Sequence, residues 1–276
     1  MSLFVQTNLA SLNAQNAFAT SESRLNKTYQ QLSSGYKINS AGDDAAGLGI
    51  SKRMSAQVDS YSTASSNANS AVSMTQTADG GAEQISQILD RLRQLAVEGA
   101  NGTMSAADSS NLDTEFQAQL AEIDQIATTT TFDGTAVLSG ASTTISFQVG
   151  INNTAADQVG VVFGGVSSSS LGLTGVNVAT QAGSSAAIAI LDTSINTLST
   201  IRAGFGAAED QFQSIVSNLA SISTNTSAAL SVMRDTDVAS TTAMLAQEQV
   251  LAQGGETVLS QANQIPQLAT SLIRGQ

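Results

Sequence analysis

Cysteine, histidine and tryptophan are missing from this chain of 276 residues, and proline occurs once. Without cysteine there is no disulfide, no thiolate ligand for zinc and no thiol nucleophile. Without histidine there is no imidazole for a Ser-His-Asp triad or a histidine metal site. An enzyme would have only carboxylates, lysine, tyrosine and serine to work with, so the composition points away from catalysis, and neither cofactor nor metal is expected. Charge is scarce too, at 12% of residues, about half the usual share. What charge there is leans acidic: 10 Lys and Arg against 22 Asp and Glu, a net −12, which argues against nucleic acid as a partner. Solubility rests on Ser, Thr, Asn and Gln, and such surfaces come together with little charge desolvation. A chain surrounded by copies of itself and a low-charge secreted protein both fit that composition. The lack of cysteine is compatible with an extracellular location. No apolar run reaches the roughly 18 residues of a membrane span. The opening MSLFVQTNLASLNAQNAF has neither a basic stretch nor a long apolar core. Export, if it occurs, is therefore expected to use a route without a cleaved signal, and no membrane partner is expected.

What is present is helical periodicity. Leu25, Tyr29, Leu32 and Tyr36 step by four, three and four residues, with Leu9, Leu12 and Phe18 extending the apolar character towards the start. The stretch SSGYKINSAGDDAAGLGISKRM interrupts this helix. A second helix is expected from about 44 to 99, with Met54, Val58, Tyr61, Ala68 and Val72, then Ile85, Leu89, Leu92 and Ala96, on one stripe. At 1.5 Å per residue it would run ~75 Å, longer than a globular core requires. GANGTMSAAD ends it, and Asp108 or Ser109 is the expected cap of a third helix carrying Leu112, Phe116, Leu120, Ile123 and Ile126. Residues 126–185 hold only Asp133 and Asp157 as charges. There Ile145, Phe147 and Val149 alternate, as do Val159, Val161 and Phe163, which predicts a β-hairpin region at about 140–176. Ser167 to Ser170 reads as a flexible tip. Helix returns near Ser185 with Leu191, Ile195, Leu198, Phe205, Phe212, Val216 and Leu219, interrupted by Arg202 and Glu209. The last stretch carries Val238, Leu245, Leu251, Val258, Leu259, Ala262, Ile265, Leu268 and Leu272, with Pro266 where a helix would kink or stop. The fold class is thus mainly α: a long antiparallel helical rod or coiled coil with a small β-hairpin region and pairing N- and C-terminal helices. The divisions fall at 1–43, 44–234 and 235–276.

Chemistry-bearing motifs are few. Gly42 and Gly47 have the glycine spacing of a phosphate loop, but Leu48 and Gly49 stand where the lysine and hydroxyl would be. Asp43 and Asp44 lack the further oxygen ligands of a hard-cation site. They precede a helix, where carboxylates cap free N–H groups. Asn26, Asn101, Asn152 and Asn225 lie in N-x-[ST] sequons that chance explains in so Ser- and Thr-rich a chain, and the Ser167 to Ser170 hydroxyls are candidate modification sites. The terminal helices have apolar stripes and few charges. Isolated, such a pair is marginal, since helices draw most of their stability from packing. It could bury both faces among copies of itself, or pack as an ordinary two-helix end on its own rod.

TNLASLNAQNAF, QLSSGYKINSAGDDAAGLGISKRM, LDRLRQLAVEGANGT, EIDQIATTTTFDG and LAQGGETVLSQANQIPQLATSLIR together resemble bacterial flagellin, over roughly the first 140 and last 90 residues. The resemblance implies a structural filament subunit of the bacterial flagellum, exported by the flagellar type III apparatus and extracellular. It implies that residues 1–43 and 235–276 are inner-tube helices ordering on assembly, and that 44–234 is the rod domain. The outer variable domains of longer members have no counterpart here. Expected partners are the chain itself, the flagellar cap, junction proteins and an export chaperone. Inner-tube packing then falls to Leu9, Leu12, Leu25, Leu32, Leu251, Val258, Leu259, Ile265 and Leu268. The joint between tube and rod falls to Gly42, Asp43, Asp44, Gly47 and Gly49. In many flagellins the region around LDRLRQLAVE is recognised by the vertebrate receptor TLR5; the matching positions are Arg91, Leu95 and Glu115, while Asp90 and Gln94 depart from the commoner residues. The run QIPQLATSL departs from the family as well. The rival readings are a hook–filament junction protein of the same assembly and a secreted adhesin or receptor ligand.

Overall fold

The computed structural model describes residues 7–140 and 142–274, the last ten of these by backbone alone. Five helices account for most of it: α1 (Leu9–Ser34), α2 (Ala45–Gly99), α3 (Ala106–Thr129), α4 (Gln181–Arg234) and α5 (Val238–Arg274). Two small antiparallel pairs lie between α3 and α4: β1 (Thr131–Phe132) with β2 (Thr135–Ala136), and β3 (Thr143–Gln148) with β4 (Gln158–Phe163). The chain divides into two compact units, residues 1–56 with 225–276 and residues 57–224. α2 and α4 each contribute to both.

In the unit of residues 57–224, α2 and α4 run antiparallel. Arg93 meets Asp192 at 2.7 Å, and Arg202 meets Asp79 at 2.9 Å and Glu83 at 2.5 Å. Gln76 donates to Glu209. The two residues that interrupt the apolar stripe of α4, Arg202 and Glu209, are therefore among its polar links to α2. The buried face of α2 is mostly alanine: Ala64, Ala68, Ala71, Ala78 and Ala82, passing into Ile85, Leu89 and Leu92. Ala68, Ile85, Leu89, Leu92 and Ala96 of the expected stripe lie on this buried face, whereas Met54, Val58, Tyr61 and Val72 are only half-buried. Alanine brings helices close and leaves room for Phe205 and Phe212 of α4 in the same core. α3 buries Leu112, Phe116, Leu120 and Ile123 as its stripe predicts, with Ala127 rather than Ile126 completing it. Its cap is Ser105, not Asp108 or Ser109. Ser105 Oγ accepts from the Asp108 N–H and donates to the Asp108 carboxylate at 2.6 Å, a reciprocal clasp that needs the hydroxyl three residues ahead of the acid.

The β3–β4 register sets Ile145 opposite Val161 and Phe147 opposite Val159, so the alternating apolar residues share one face. That face meets α4: Phe147 packs edge-on against Phe212 with centroids 5.5 Å apart, and Phe163 lies 5.7 Å from Phe205. The β1–β2 pair turns at Asp133-Gly134, both at positive φ (48° and 76°), the requirement of a tight hairpin turn. Ser167 to Ser170 is not a loose tip. Ser168 donates through its N–H and hydroxyl to Asp124 at 2.8 and 2.7 Å, and Val166, Leu171 and Leu173 on either side are buried. Pro266 does not end α5, which continues to Arg274. A proline's missing N–H and the clash of its ring with the carbonyl four residues back weaken the helix there without ending it.

Candidate functional site: the paired terminal helices and their joint

α1 and α5 pair antiparallel in the unit of residues 1–56 and 225–276. α1 starts at Asn8, whose side chain accepts from the Ser11 N–H and donates to the Ala262 carbonyl at 2.8 Å. Ser11 Oγ donates to Asn263 at 2.7 Å, and Gln249 donates to the Tyr29 hydroxyl at 2.9 Å. Between these bonds Gly255 admits Phe18, whose ring would lie 3.2 Å from a Cβ placed there. The residues buried in this pair are small or polar: Ser11, Thr28, Thr241 and Ala262. Many of the large apolar side chains point outwards, with Leu9 58%, Leu12 48%, Val250 68% and Val258 59% exposed, and Tyr29, Val238, Met244 and Leu251 exposed too, while Phe18, Leu25, Leu32, Leu245 and Leu259 are half-buried. One oxygen of Glu248 is buried with no partner among the described residues. In a helix pair meant to stand alone this arrangement is inverted.

The joint is built around Asp43. Its carboxylate accepts from the Asn39 and Ser40 N–H groups at 3.2 and 3.0 Å and from the Ser40 hydroxyl at 3.0 Å, and pairs with Lys27 of α1 at 2.8 Å. The Lys27 ammonium first, and the two N–H groups after it, hold this carboxyl well below the usual carboxylate range. Asp44 caps α2 by accepting from the Gly47 N–H at 2.9 Å. α1 itself stops at Gly35, at φ 73° with its N–H on the Gln31 carbonyl. The connection then pairs with the α4–α5 turn: Tyr36 bridges Asp235, the Lys37 N–H donates to Arg234 at 2.7 Å and the Thr236 N–H donates to Gly35 at 2.9 Å. The Arg234 guanidinium sits 3.6 Å above the Tyr36 ring. Asp237 caps α5 by accepting from Ala239 and Ser240.

Of the expected joint residues, Asp43, Asp44 and Gly47 hold the geometry. Gly47 is buried, and a Cβ there would come within 2.8 Å of Ile38. Gly42 and Gly49 have ordinary φ and no crowding contact, so neither provides a bend or a close approach. Gly35 is the glycine the bend requires. Its signal was the place of a glycine right after a helical stripe. Tyr36, expected on the stripe of the first helix, lies beyond its end and pairs with Arg234 instead, while Lys27 and Arg234 carry no local pattern that marks them, because each acts on a residue distant in sequence. Of the expected packing residues, Leu9, Leu12, Leu251 and Val258 are exposed and Leu25, Leu32 and Leu259 half-buried. The side chains of Ile265 and Leu268 lie outside the described residues. In the other unit, Arg91 and Glu115 form an exposed ion pair at 2.6 Å, whereas Leu95 is fully buried in the core and offers no side chain to a receptor.

Comparison with known proteins agrees with this architecture. Residues 5–143 match the bacterial flagellin N-terminal helical region, and residues 188–273 the bacterial flagellin C-terminal helical region. The flagellin of Halalkalibacterium halodurans is 33% identical over 272 residues, covering 99% of this chain and 100% of that one. The flagellin of Bacillus subtilis is 32% identical over 98% of this chain and 99% of that one. Among solved structures, one described as a flagellar hook-associated protein of Vibrio parahaemolyticus aligns over 69% of this chain and 99% of that one, with a TM-score of 0.57 at 14% identity, a likeness of fold alone. With both terminal regions matched and full-length relatives of similar size, the chain belongs to the bacterial flagellin family, the structural, non-enzymatic subunits of the extracellular flagellar filament.

Proposed function

We propose that the α1–α5 pair is the polymerising element of this filament subunit, and that its outward apolar residues are buried by neighbouring copies. The carrying observation is where the bare apolar surface lies. Among the described residues, every large exposed apolar side chain except Val97 and Val162 belongs to the unit of residues 1–56 and 225–276. Buried apolar area stabilises by about 25 cal/mol per Å² before ordering costs, so repetition along a filament sums modest contacts into a durable one. On this reading residues 1–43 and 235–276 are the inner-tube segments and 44–234 the rod. Gly35, Asp43 and Gly47 set the angle between connection and helix, while Leu9, Leu12, Leu25, Leu32, Leu251, Val258, Leu259, Ile265 and Leu268 are the packing set. The cap, junction proteins and export chaperone are the further partners this role calls for, and any TLR5 contact on this chain would rest on Arg91 and Glu115. The test is elongation of filament seeds by purified chain, followed by electron microscopy. Long tubes are expected from the parent. Replacing Leu251 and Val258 by Asn should raise the critical concentration at least tenfold, and unchanged growth would sink the assignment.

A further inference from the structure

The charge of the chain is divided unequally between its two units. Residues 57–224 hold three basic residues, Arg91, Arg93 and Arg202, against fifteen acidic ones, so they carry the whole net charge of −12; the remainder holds seven of each sign and is neutral. All three basic residues of the acidic unit are used up in internal ion pairs. The other unit is mixed: among the described residues Glu22, Asp235 and Glu256 are exposed and unpaired there, while its remaining exposed acids are committed. Asp43 is taken by Lys27, and Asp44 and Asp237 are taken by helix N–H groups. Lys37, Lys52 and Arg53, all exposed, have no acidic partner among the described residues. The acidic unit has its own uncommitted groups: Asp59, Asp90, Glu98, Glu122 and Asp210 are exposed and, among the described residues, make no hydrogen bond or ion pair with their side chains.

We infer that filament growth uses a contact between unlike faces of two copies, in which Lys37, Lys52 and Arg53 of one copy meet the uncommitted carboxylates of another copy's residues 57–224. The inference rests on the polymerisation reading above. The partner is a second copy because the family assembles with itself and because the two charge sets complement each other. Placing acidic unit against acidic unit brings like charge together, which costs free energy and steers copies away from that pairing. Contact between unlike faces is heterologous, and such contacts propagate into open helical polymers instead of closing as dimers. The hydrophobic stripes of α1 and α5 supply no such direction, since burial of apolar surface is indifferent to which copy provides it.

The experiment is complementation in trans with full-length chains at about 0.1 M salt, where charges within roughly 10 Å still feel one another. One variant carries Lys37→Glu, Lys52→Glu and Arg53→Glu. A second carries Lys at positions 59, 90, 98, 122 and 210, written D59K, D90K, E98K, E122K and D210K. Circular dichroism on each checks that the helices persist. Each variant alone should elongate seeds at least tenfold less well than the parent, and an equimolar mixture should recover most of the parent rate as alternating copies. A mixture no better than its components, or a first variant that grows like the parent, overturns the inference. A parent that fails to elongate seeds overturns the polymerisation reading, and this inference with it; growth of the parent with no rescue in the mixture removes this inference only.

Discussion

Asp43 gathers three elements with one carboxylate: the end of the connection through Asn39 and Ser40, the start of α2 beside it, and α1 through Lys27. Because its carboxyl titrates below the ordinary range when folded, it favours the folded joint wherever the unfolded carboxyl, near pH 4, would already be ionised. That contribution is complete above the unfolded value and is lost as pH falls towards the depressed folded one. Hydrogen exchange of the amides between Gly35 and Gly47 should therefore be flat from pH 7 down to about 5, once corrected for intrinsic rates, and protection should fall at lower pH. Asp43→Asn should exchange faster than the parent at neutral pH and lose the acid dependence; a parent-like profile would show that the clasp does not hold the joint. The glycines separate cleanly at this scale. Gly47→Val should destabilise by ~1–3 kcal/mol through contact with Ile38, whereas Gly49→Ala, on an open helical face, should stabilise by ~0.5–1 kcal/mol. Denaturant unfolding followed by circular dichroism measures both.

For the elements, the core of residues 57–224 depends on a difference in size across the helix interface. α2 contributes alanines where α4 contributes Phe205 and Phe212. Phe212→Ala should cost ~3–5 kcal/mol, because the hairpin ring of Phe147 loses its partner and a cavity remains. Ala78→Leu should cost ~1–3 kcal/mol by overpacking. Urea unfolding midpoints for the two variants check this, and an Ala78→Leu variant as stable as the parent would mean the interface has slack. The same size difference explains which features were legible in the sequence. Leu112, Phe116, Leu120 and Ile123 of α3 announced themselves because large residues at helical spacing have few other uses. β3 and β4 did so through strict alternation. Of the alanine seam of α2 only Ala68 and Ala96 stood out, since alanine is also common on helix surfaces, and larger residues such as Met54, Val58 and Tyr61 outweighed the others. Ser105 was hidden because a serine cap is one of many serines here. The turn at Ser167 to Ser170 looked loose because its anchor, Asp124, lies 44 residues away. Of the assembly surface, the terminal stripes were visible as periodic apolar residues, but periodicity alone could not tell whether the stripes faced each other or outwards.

For the whole molecule, the buried cluster from Ala68 to Phe212 lies entirely within residues 57–224. Removing residues 1–40 or 236–276 should leave that unit folded, with its cooperative thermal transition intact, and abolish elongation of seeds. Filaments grown from both truncations would remove the terminal pair from the mechanism, and loss of the transition would show that the unit needs its partner. Charge acts at this scale as well. Every copy adds twelve excess negative charges, so raising salt from very low ionic strength should first lower the critical concentration by screening long-range repulsion, and higher salt should raise it again as the exposed pairs between copies are screened in turn.

The Tyr36 ring beneath Arg234 has an optical consequence. The chain has three tyrosines and no tryptophan, so tyrosine alone dominates its near-ultraviolet emission. Two of the three emitters, Tyr29 bonded to Gln249 and Tyr36 under the guanidinium, sit in the unit that carries the bare apolar surface. The subunit therefore contains its own unlabelled probe of incorporation: changes in tyrosine intensity and anisotropy on joining a filament would arise mainly at the terminal pair and its joint, with residues 57–224 contributing through Tyr61 alone.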